Sequence, residues 1–285
     1  MTDHLPRLAN IAGRAHLLVG DGAIDVELRS DGRLPSEPRE VIGCWDELRA
    51  WAAGAIGEPA PFDAALLGPA VPDPRQVFGI GLNYADHAAE TGRPLPETPL
   101  VFTKFPSCIA PPSGQLTLPT TNVDWEVELV AVIGGGGRHI AEADALDHVA
   151  GFCVGQDFSE RVVQWGGGPA PQFSLAKSYA GFGPVGPAIV DRLALPDDLD
   201  LAITCEVDGE VVQRSRTGRL IFGVPTLVAY LSSICELHPG DLIFTGTPDG
   251  VGASRTPPRF LQPGNVVVST IEAVGELRTE CVAPA

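Results

Sequence analysis

Two acidic residues, Glu126 and Glu128, lie two positions apart in the segment 124–129, Asp-Trp-Glu-Val-Glu-Leu. The alternation of apolar and acidic residues predicts a β-strand, on which side chains two apart share one face at about 6.6 Å. Two carboxylates at that spacing repel by about 2–3 kcal/mol, and a hard divalent cation with oxygen ligands would relieve the repulsion. An amphipathic strand with a solvated acidic face has the same pattern, so this segment alone leaves both interpretations open.

A second pair, His87 and Glu90, lies three positions apart in the segment 83–90, Asn-Tyr-Ala-Asp-His-Ala-Ala-Glu. On a helical turn this spacing puts both side chains on one face. A carboxylate that accepts a hydrogen bond from one imidazole nitrogen fixes the tautomer and leaves the other nitrogen as a general base. An ordinary surface ion pair is the alternative.

Two further segments supply a third carboxylate and positive charge. Asp157 is followed by Arg161 and Gln164, and an arginine can pair bidentately with a carboxylate of the protein or of a substrate. Lys177 lies in a glycine- and proline-rich region with few other charges. A structural Asp–Arg pair and a solvated lysine are the alternatives for these residues.

Composition restricts the class of protein. A net charge of −17 argues against nucleic acid and anionic membranes as partners, and any anionic substrate would need local positive charge. The 285 residues suffice for one large domain, or a large domain and a small one. The chain has no apolar run of ~20 residues and no signal-peptide pattern, which predicts a cytoplasmic protein. The six scattered cysteines predict reduced thiols.

The elements that would position these residues are short, and most of them are strands. Residues 1–70 predict a small N-terminal domain with a hairpin (15–19 and 24–28) and a helix from Asp46 to Gly54. A catalytic domain at 71–285 would contain the other elements. Its predicted strands are 76–81, 124–133, 152–154, 201–207, 211–213, 242–245 and 265–272, and its helical segments are 83–90, 141–149 and 225–237. On the last helix, Val224, Leu227, Val228, Leu231 and Ile234 form an apolar stripe. Because strands and helices do not alternate regularly, the fold class is a strand-rich α+β fold, without a doubly wound parallel sheet.

Two glycine runs near the predicted strands do not match the dinucleotide-binding fingerprint. The runs that begin at Gly134 and Gly79 lack the third glycine of G-x-G-x-x-G, where His139 and Tyr84 stand instead. The chain also contains no Walker lysine, no G-x-S-x-G and no H-E-x-x-H. These absences exclude several large enzyme classes.

Taken together and in order, five motifs resemble the fumarylacetoacetate hydrolase (FAH) family. They are Gly-Leu-Asn-Tyr-x-x-His-x-x-Glu at 81–90, Asp-Trp-Glu-Val-Glu-Leu at 124–129, Asp-x-Ser-x-Arg-x-x-Gln at 157–164, Lys177, and Gly-Asp-Leu-Ile-Phe-Thr-Gly-Thr-Pro-x-Gly-Val-Gly at 240–252. The resemblance covers about residues 75–282, and residues 1–70 look like the small N-terminal α/β domain of many bacterial members.

The resemblance implies an FAH-like mixed β-sandwich or roll and a homodimer. It implies one Mg²⁺ or Mn²⁺ per subunit, held by Glu126, Glu128 and Asp157. The activity it implies is hydrolysis of a carbon–carbon bond next to a carbonyl in a small anionic 1,3-dicarbonyl acid of the acylpyruvate type. His87 with Glu90 would activate water on a lid segment, and Lys177 would stabilise the resulting oxyanion. The substrate site would include Tyr84, Arg161, Gln164 and Thr247.

Two features depart from the commonest family pattern. Glu160 stands where a small residue is usual, and Tyr179-Ala180 replaces the usual Phe-Asp or a similar pair after Lys177-Ser178. These departures leave the acyl group of the substrate open. Two other functions also remain: an oxaloacetate decarboxylase or other 2-oxo acid lyase or tautomerase on the same scaffold, and a catalytically silent metal-binding scaffold.

Overall fold

The computed structural model describes residues 5–54, 56–90, 92–166, 168 and 170–284. In chain order the strands are β1 (Arg7–Ile11), β2 (Arg14–Val19), β3 (Gly22–Asp25), β4 (Val77–Gly81), β5 (Leu100–Thr103), β6 (Ile109–Ala110), β7 (Ser113–Thr117), β8 (Val123–Asp124), β9 (Val127–Ile133), β10 (Val149–Gln156), β11 (Ser159–Glu160), β12 (Gly183–Asp191), β13 (Ala202–Val207), β14 (Glu210–Arg216), β15 (Leu242–Phe244), β16 (Val266–Ile271) and β17 (Gly275–Val282). The α-helices are α1 (Val26–Arg29), α2 (Pro38–Ile42), α3 (Trp45–Ala52), α4 (Ala85–Glu90), α5 (Arg161–Gly166), α6 (Phe173–Ala176) and α7 (Val224–Ile234). Short 3₁₀ helices occupy Ala64–Leu66, Pro106–Cys108, Glu142–His148, Arg192–Ala194, Thr217–Arg219 and Gly252–Ser254.

Most of the strands belong to two mixed sheets. The larger one has ten strands in the order β3-β2-β1-β12-β10-β9-β15-β4-β5, with β6 paired to β12. Its β15–β4 and β12–β6 pairs are parallel, whereas β9 is antiparallel to both of its neighbours. A second sheet has five strands in the order β14-β13-β16-β17-β7, and β8 pairs with β11. The strand-rich α+β fold and the exclusion of a doubly wound parallel sheet are therefore confirmed.

Strand β9 lies inside the larger sheet and is buried along its whole length. Val127 and Leu129 belong to a hydrophobic core shared with the five-stranded sheet and α7, while Val130 and Val132 belong to a second core that includes α2 and α3. Because successive side chains of a strand point to opposite faces, layers on both sides cover β9. The alternative of a solvated acidic face is therefore wrong.

The N-terminal strands extend the larger sheet, because β1 is antiparallel to β12 with Leu8 opposite Ile189. Asp191, at the end of β12, connects this region to the rest of the chain. Its Oδ2 accepts hydrogen bonds from Trp45 Nε1 at 2.8 Å and from Arg49 Nε at 2.7 Å, both on α3. The division into domains 1–70 and 71–285 stays a prediction.

Two N-terminal elements occur where the sequence predicts them, with one difference in length. The hairpin forms with Val19 opposite Gly22, and α3 covers the predicted helix. The second strand of the hairpin was expected to reach Leu28, which is wrong. It ends at Asp25, because the Asp25 carboxylate accepts a hydrogen bond from the Leu28 N–H and caps α1.

Helix α7 forms as predicted but is shorter. Four members of its apolar stripe are buried, whereas Ile234 is 59% exposed, so the prediction for Ile234 is wrong. The helix ends at Ile234 because the chain beyond it turns into a β-bridge in which Leu237 pairs with Gly137. The helical character predicted at 141–149 corresponds to the 3₁₀ helix Glu142–His148.

Two predictions based on composition can be compared with the structure. All six cysteines are free thiols, as expected. Among the described residues, no helix has the length and apolar character needed to cross a membrane.

Candidate active site

Three carboxylates, those of Glu126, Glu128 and Asp157, meet at one end of β9. Antiparallel pairing sets Gln156 of β10 opposite Val127, and the N–H of Asp157 donates to the Glu126 carbonyl at 2.9 Å. The three residues are 6%, 1% and 0% exposed, respectively. One carboxylate oxygen from each lies within 4.8 Å of the other two. The structure thus brings together all three predicted metal ligands, although they come from separate segments.

This donor set suits a hard divalent cation. The group contains three carboxylates and neither histidine nor cysteine, which disfavours zinc and favours Mg²⁺ or Mn²⁺. Oxygen ligands bind Mg²⁺ at about 2.1 Å, so two oxygens on opposite sides of the ion are about 4.2 Å apart. The three oxygens, which lie within 4.8 Å of one another, would therefore have to draw closer together to bind one ion.

Lys177 lies within the carboxylate cluster. Its Nζ donates to Glu126 Oε2 at 2.7 Å, to Asp157 Oδ2 at 2.6 Å and to Ser159 Oγ at 2.8 Å. These acceptors use all three N–H donors of the ammonium group. In this arrangement Lys177 compensates carboxylate charge, and it would have to release one acceptor to contact an oxyanion as predicted.

A second buried lysine, Lys104, was missed from the sequence. Its Nζ donates to Asp157 Oδ1 at 2.6 Å, to the Lys177 carbonyl, and to the Phe182 carbonyl at 3.3 Å. The side chain passes over Gly183, where a Cβ would lie 3.2 Å from Lys104 Cε. The sequence did carry a signal, because the chain has 17 arginines but only two lysines, at 104 and 177. Both are buried against the same aspartate.

Arg161 connects the cluster to the adjacent loop. Its Nε donates to Asp124 Oδ2 at 2.8 Å, and its Nη2 pairs with Glu126 Oε1 at 2.8 Å. Asp124 also accepts the N–H of Gly252 at 2.7 Å, so it joins β8 to the 252–254 turn. Arg161 Nη1 donates to Gln164 Oε1 at 2.8 Å, which leaves the amide N–H donors of Gln164 for a ligand in the cleft.

The charges within the cluster are not fully balanced. Burial raises the pKa of Glu128 well above its usual value, and the charges of Asp157 and Glu126 raise it further. In the described chain, its carboxylate accepts a hydrogen bond only from the Gly246 N–H, at 2.8 Å. Burial also acts to raise the pKa of Glu126, but the charges of Lys177 and Arg161 outweigh it and hold that pKa at about 2. The uncompensated negative charge is therefore at Glu128, where a bound cation would balance it.

His87 and Glu90 lie on one face of α4, as the spacing predicts. His87 Nδ1 is 3.3 Å from Glu90 Oε2, while Glu90 Oε1 accepts the N–H of Gly250 at 3.0 Å. The helix is also held by an ion pair between Asp86 and Arg219 at 3.0 Å. The Nδ1 contact favours the tautomer with its proton on Nδ1, which places the basic lone pair on Nε2.

Thr247 and the glycine before it shape one wall of the cleft. The Thr247 hydroxyl donates to the Val127 carbonyl at 3.0 Å and accepts from Gln213 Nε2 at 2.8 Å. Gly246 has a φ of +104°, and a Cβ there would lie 2.8 Å from the Asn83 Cβ, so the position requires glycine. Thr247 therefore lines the cleft as predicted, with its hydroxyl already engaged by the fold.

Tyr84 differs from the prediction. It is 1% exposed and does not line the cleft, so this arrangement does not support direct contact with a substrate. Within the described part of the chain its hydroxyl has no hydrogen-bond partner. Burial and the charge of Glu128 raise its pKa, so it remains protonated beside the cluster.

Of the residues that depart from the family pattern, Glu160 and Tyr179 also lie outside the cleft wall. Glu160 is fully buried, accepts a hydrogen bond from Thr120 Oγ1 at 2.8 Å, and accepts the Val163 N–H at the start of α5. The Tyr179 ring packs against Phe182 with 5.0 Å between ring centroids. Neither side chain can therefore select the acyl group by direct contact.

Two carboxylates of the cluster, Glu126 and Glu128, and the His87–Glu90 pair line one cleft of about 360 Å³, whereas Asp157 is fully buried and is not part of its wall. Glu126, Glu128, Arg161, Gln164 and Lys177 form its polar end together with that pair. The rest of its wall is mainly apolar and includes Leu82, Leu100, Phe102, Trp165, Phe173 and Val251, with Arg93 among them. One polar end and a longer apolar wall suit a small organic acid that carries an apolar substituent.

This fold and this acidic cleft define a class of metal-binding enzymes, and comparison with known proteins identifies the family. The family model described as fumarylacetoacetate (FAA) hydrolase, C-terminal, matches residues 76–282. The chain therefore belongs to the FAH family of enzymes.

Among similar proteins, human oxaloacetate tautomerase FAHD2A, mitochondrial, is 42% identical over 273 residues, which cover 93% of this chain and 86% of that protein. A crystal structure from Mycobacterium smegmatis, provisionally named HpcE, is 50% identical with a TM-score of 0.92 and covers 98% of this chain and 100% of that one. Maleylpyruvate hydrolase from Sphingobium sp. SYK-6, crystallised with manganese(II) and pyruvate, is 27% identical with a TM-score of 0.81; 98% of this chain and 100% of that chain are covered.

Proposed function

We propose that this protein is a divalent-cation-dependent hydrolase that cleaves a carbon–carbon bond next to a carbonyl in a 1,3-dicarbonyl acid of the acylpyruvate type. One observation carries the proposal: a single cleft is lined both by Glu126 and Glu128 of the three-carboxylate cluster and by the His87–Glu90 pair. The apolar wall supports an acyl substituent on the substrate. The description of the Sphingobium hydrolase, with manganese and pyruvate bound, supports a pyruvate-containing substrate or product.

Glu126, Glu128 and Asp157 would hold one Mg²⁺ or Mn²⁺ per subunit, because their oxygens are close together and Glu128 lacks a cationic partner among the described residues. When bound, such an ion supplies positive charge that stabilises anionic oxygens of a 2-oxo acid. Lys104 and Lys177, which both pair with the Asp157 carboxylate, would hold it in position for this purpose.

His87 would act as the general base. With its Nδ1 proton directed at Glu90, its Nε2 would accept a proton from water, and the hydroxide would attack the carbonyl distal to the carboxylate. Collapse of the adduct breaks the bond to the adjacent carbon, giving a carboxylic acid and the enolate of pyruvate. The proton taken from water then returns to the enolate carbon, so the net reaction consumes one water molecule.

Arg161 and Gln164 would bind the substrate carboxylate. Arg161 is held by Asp124 and Glu126, and the amide N–H groups of Gln164 are not engaged by any described residue. Arg161 and the two lysines offset three of the four carboxylates in the cluster, so the divalent ion would supply the local positive charge that an anionic substrate requires in a chain of net charge −17.

The experiment is turnover of acetylpyruvate with metal content measured in the same samples. Glu126→Gln should lose stoichiometric Mg²⁺ or Mn²⁺ together with activity, whereas His87→Ala should retain the metal and lower kcat by about 10²–10⁴-fold. Full activity of both variants would reject the proposed site. Arg138→Met, an exposed change away from the cleft, serves as the control.

A second candidate is an oxaloacetate tautomerase, which the 42% identical human relative favours. Both reactions stabilise an enolate, but only the hydrolase adds water. Incubation with acetylpyruvate and with oxaloacetate separates them, because hydrolysis yields acetate and pyruvate whereas tautomerisation changes only the keto–enol ratio. Thermal stabilisation by metal but by neither acid, with no turnover, would indicate a silent scaffold.

We further propose that the chain is a homodimer. Support comes from exposed apolar residues at the β5 edge of the larger sheet and on the helices beside it: Val101, Phe105, Val162 and Leu175. Light scattering should give twice the chain mass, and Leu175→Asp should shift the protein towards monomer. The cytoplasmic location stays a prediction, since the name of the human relative includes "mitochondrial".

A further inference from the structure

A row of three aromatic rings runs along the cleft and has a cation at each end. Lys177 Nζ lies 5.2 Å from the Phe102 ring centroid. The Phe102 and Phe173 centroids are 5.9 Å apart, and those of Phe173 and Trp165 are 5.6 Å apart with the rings nearly perpendicular. At the other end, the Arg93 guanidinium lies 4.7 Å from the Trp165 centroid. All five residues line the same cleft.

The two cations differ in their partners. Lys177 is buried and its three donors are used by Glu126, Asp157 and Ser159. Arg93 is exposed at the cleft, and within the described chain no carboxylate pairs with it, although Glu90 and Glu97 are near in sequence. A guanidinium stacked on a ring keeps its N–H groups at its edge, where they can bind a carboxylate bidentately.

Two positions, Gly79 and Trp165, indicate that this row of rings is more than incidental packing. Gly79 of β4 lies under the Phe102 ring, and a Cβ there would be 2.3 Å from two of its atoms, so glycine is required for the ring to occupy this place. Trp165 is 42% exposed, although burying an indole is strongly favourable. An exposed indole within a substrate cleft provides a surface on which a ligand can lie.

We propose that Arg93, stacked on Trp165, is a specificity-determining subsite for an anionic group at the far end of the substrate. The 2-oxo acid end would lie at the carboxylate cluster, the carbon chain along the three rings, and a terminal carboxylate at Arg93. This inference rests on the proposed function and specifies its substrate class as acylpyruvates whose acyl chain ends in a carboxylate.

The test compares two substrates of equal chain length, adipoylpyruvate, which ends in a carboxylate, and hexanoylpyruvate, which ends in a methyl group. With Mg²⁺ present, the wild type should prefer adipoylpyruvate by about tenfold or more in kcat/KM. Arg93→Met should lower kcat/KM for adipoylpyruvate by about 10–100-fold, mainly through KM, the scale for losing a charged hydrogen-bond partner. The value for hexanoylpyruvate should change less than about twofold. Arg93→Lys should recover part of the loss, since it keeps the charge without the bidentate fork.

Equal losses on both substrates, or no preference in the wild type, would overturn the proposal. Arg138→Met is the matched control, because it removes an exposed arginine outside the cleft and should leave the preference intact.

Calorimetric binding of both compounds to His87→Ala separates this inference from the proposed function. If the wild type hydrolyses neither compound, the hydrolase proposal fails. The subsite then stands only if tighter binding of adipoylpyruvate disappears when Arg93→Met is added to His87→Ala.

Discussion

Two of the regions that bury carboxylates, around Asp191 and at the end of β9, differ in how the negative charge is compensated. At Asp191, Oδ2 accepts from Trp45 Nε1 and Arg49 Nε, while Oδ1 accepts from Arg49 Nη2 at 3.2 Å and from the Leu193 N–H at 2.8 Å. Both oxygens are saturated by donors of the chain itself. This carboxylate holds α3 against β12, and it has no capacity left for a ligand.

The cluster at the end of β9 has the opposite balance. Asp124, Glu126, Glu128 and Asp157 bring four carboxylates against three cations, namely Lys104, Lys177 and Arg161. The deficit falls on Glu128, which faces the cleft. Burial of a carboxylate therefore does not by itself indicate a functional site. A buried carboxylate indicates a ligand site when it lies next to a cavity and the protein supplies too few hydrogen-bond donors and cations for it.

The largest effect on stability is expected at Lys104, where the cluster is held together. Lys104→Met removes one of the two cations on Asp157 and leaves a buried carboxylate undercompensated, which should cost about 3–5 kcal/mol of unfolding free energy. It should also weaken Mn²⁺ binding, because Asp157 loses its fixed position. Urea unfolding and calorimetry measure the two effects. A variant with wild-type stability and affinity would show that Lys104 does not hold the site.

A smaller loss is expected at Asp191, with a different signature. Asp191→Asn keeps the shape but removes the charge opposite Arg49, whose side chain is 24% exposed and can be partly hydrated. We expect a loss of about 2 kcal/mol in unfolding free energy, the usual scale for a hydrogen bond to a charged group. Mn²⁺ affinity should not change. If the substitution weakened metal binding as strongly as Lys104→Met, the contrast between the two regions would be wrong.

Metal affinity should depend on pH because of Glu128. Its pKa in the metal-free protein is raised, so below that pKa a proton must leave before its carboxylate can bind a cation. The affinity for Mg²⁺ should therefore rise with pH by up to about tenfold per unit and level off above the Glu128 pKa. Titrations in buffers of different ionisation enthalpy should show proton release. An affinity for Mg²⁺ that did not change between about pH 5 and pH 8 would contradict this expectation.

The smallest effect has the opposite sign. Because its pKa is raised in the folded chain, ionised Glu128 lowers stability as pH rises above its usual value of 4.5. Glu128→Gln should therefore make the metal-free protein more stable at neutral pH, by about 1 kcal/mol or more, the scale of one pKa unit. It should also abolish stabilisation by Mg²⁺. Thermal unfolding with and without Mg²⁺ checks both expectations. If Glu128→Gln instead destabilised the metal-free protein, Glu128 would be a carboxylate that stabilises the fold, as Asp191 is.

The amino-acid sequence by itself determined much of the local structure and the chemical character of the site. Alternation predicted a strand at 124–133, which is confirmed from Val127 to Ile133 as β9 but not at Trp125 and Glu126, which lie between β8 and β9. The spacing of His87 and Glu90 predicted their contact on α4, and the order of five motifs predicted the family. These features depend on short-range periodicity, which a single segment expresses without reference to the rest of the chain. The hairpin and the start of α7 were predictable for the same reason.

Only the tertiary structure decided which residues meet and which faces are covered. Lys104 reaches Asp157 across 53 positions, and Asp157 reaches Glu126 through the pairing of β9 with β10. The acidic pattern also fits a solvated strand face, but packed layers on both sides of β9 bury these residues. The result is a buried cluster with one carboxylate more than it has cations. Likewise, Tyr84 lies outside the cleft wall although its motif suggested otherwise. Local periodicity sets the face to which a side chain points, whereas long-range packing sets what lies opposite that face.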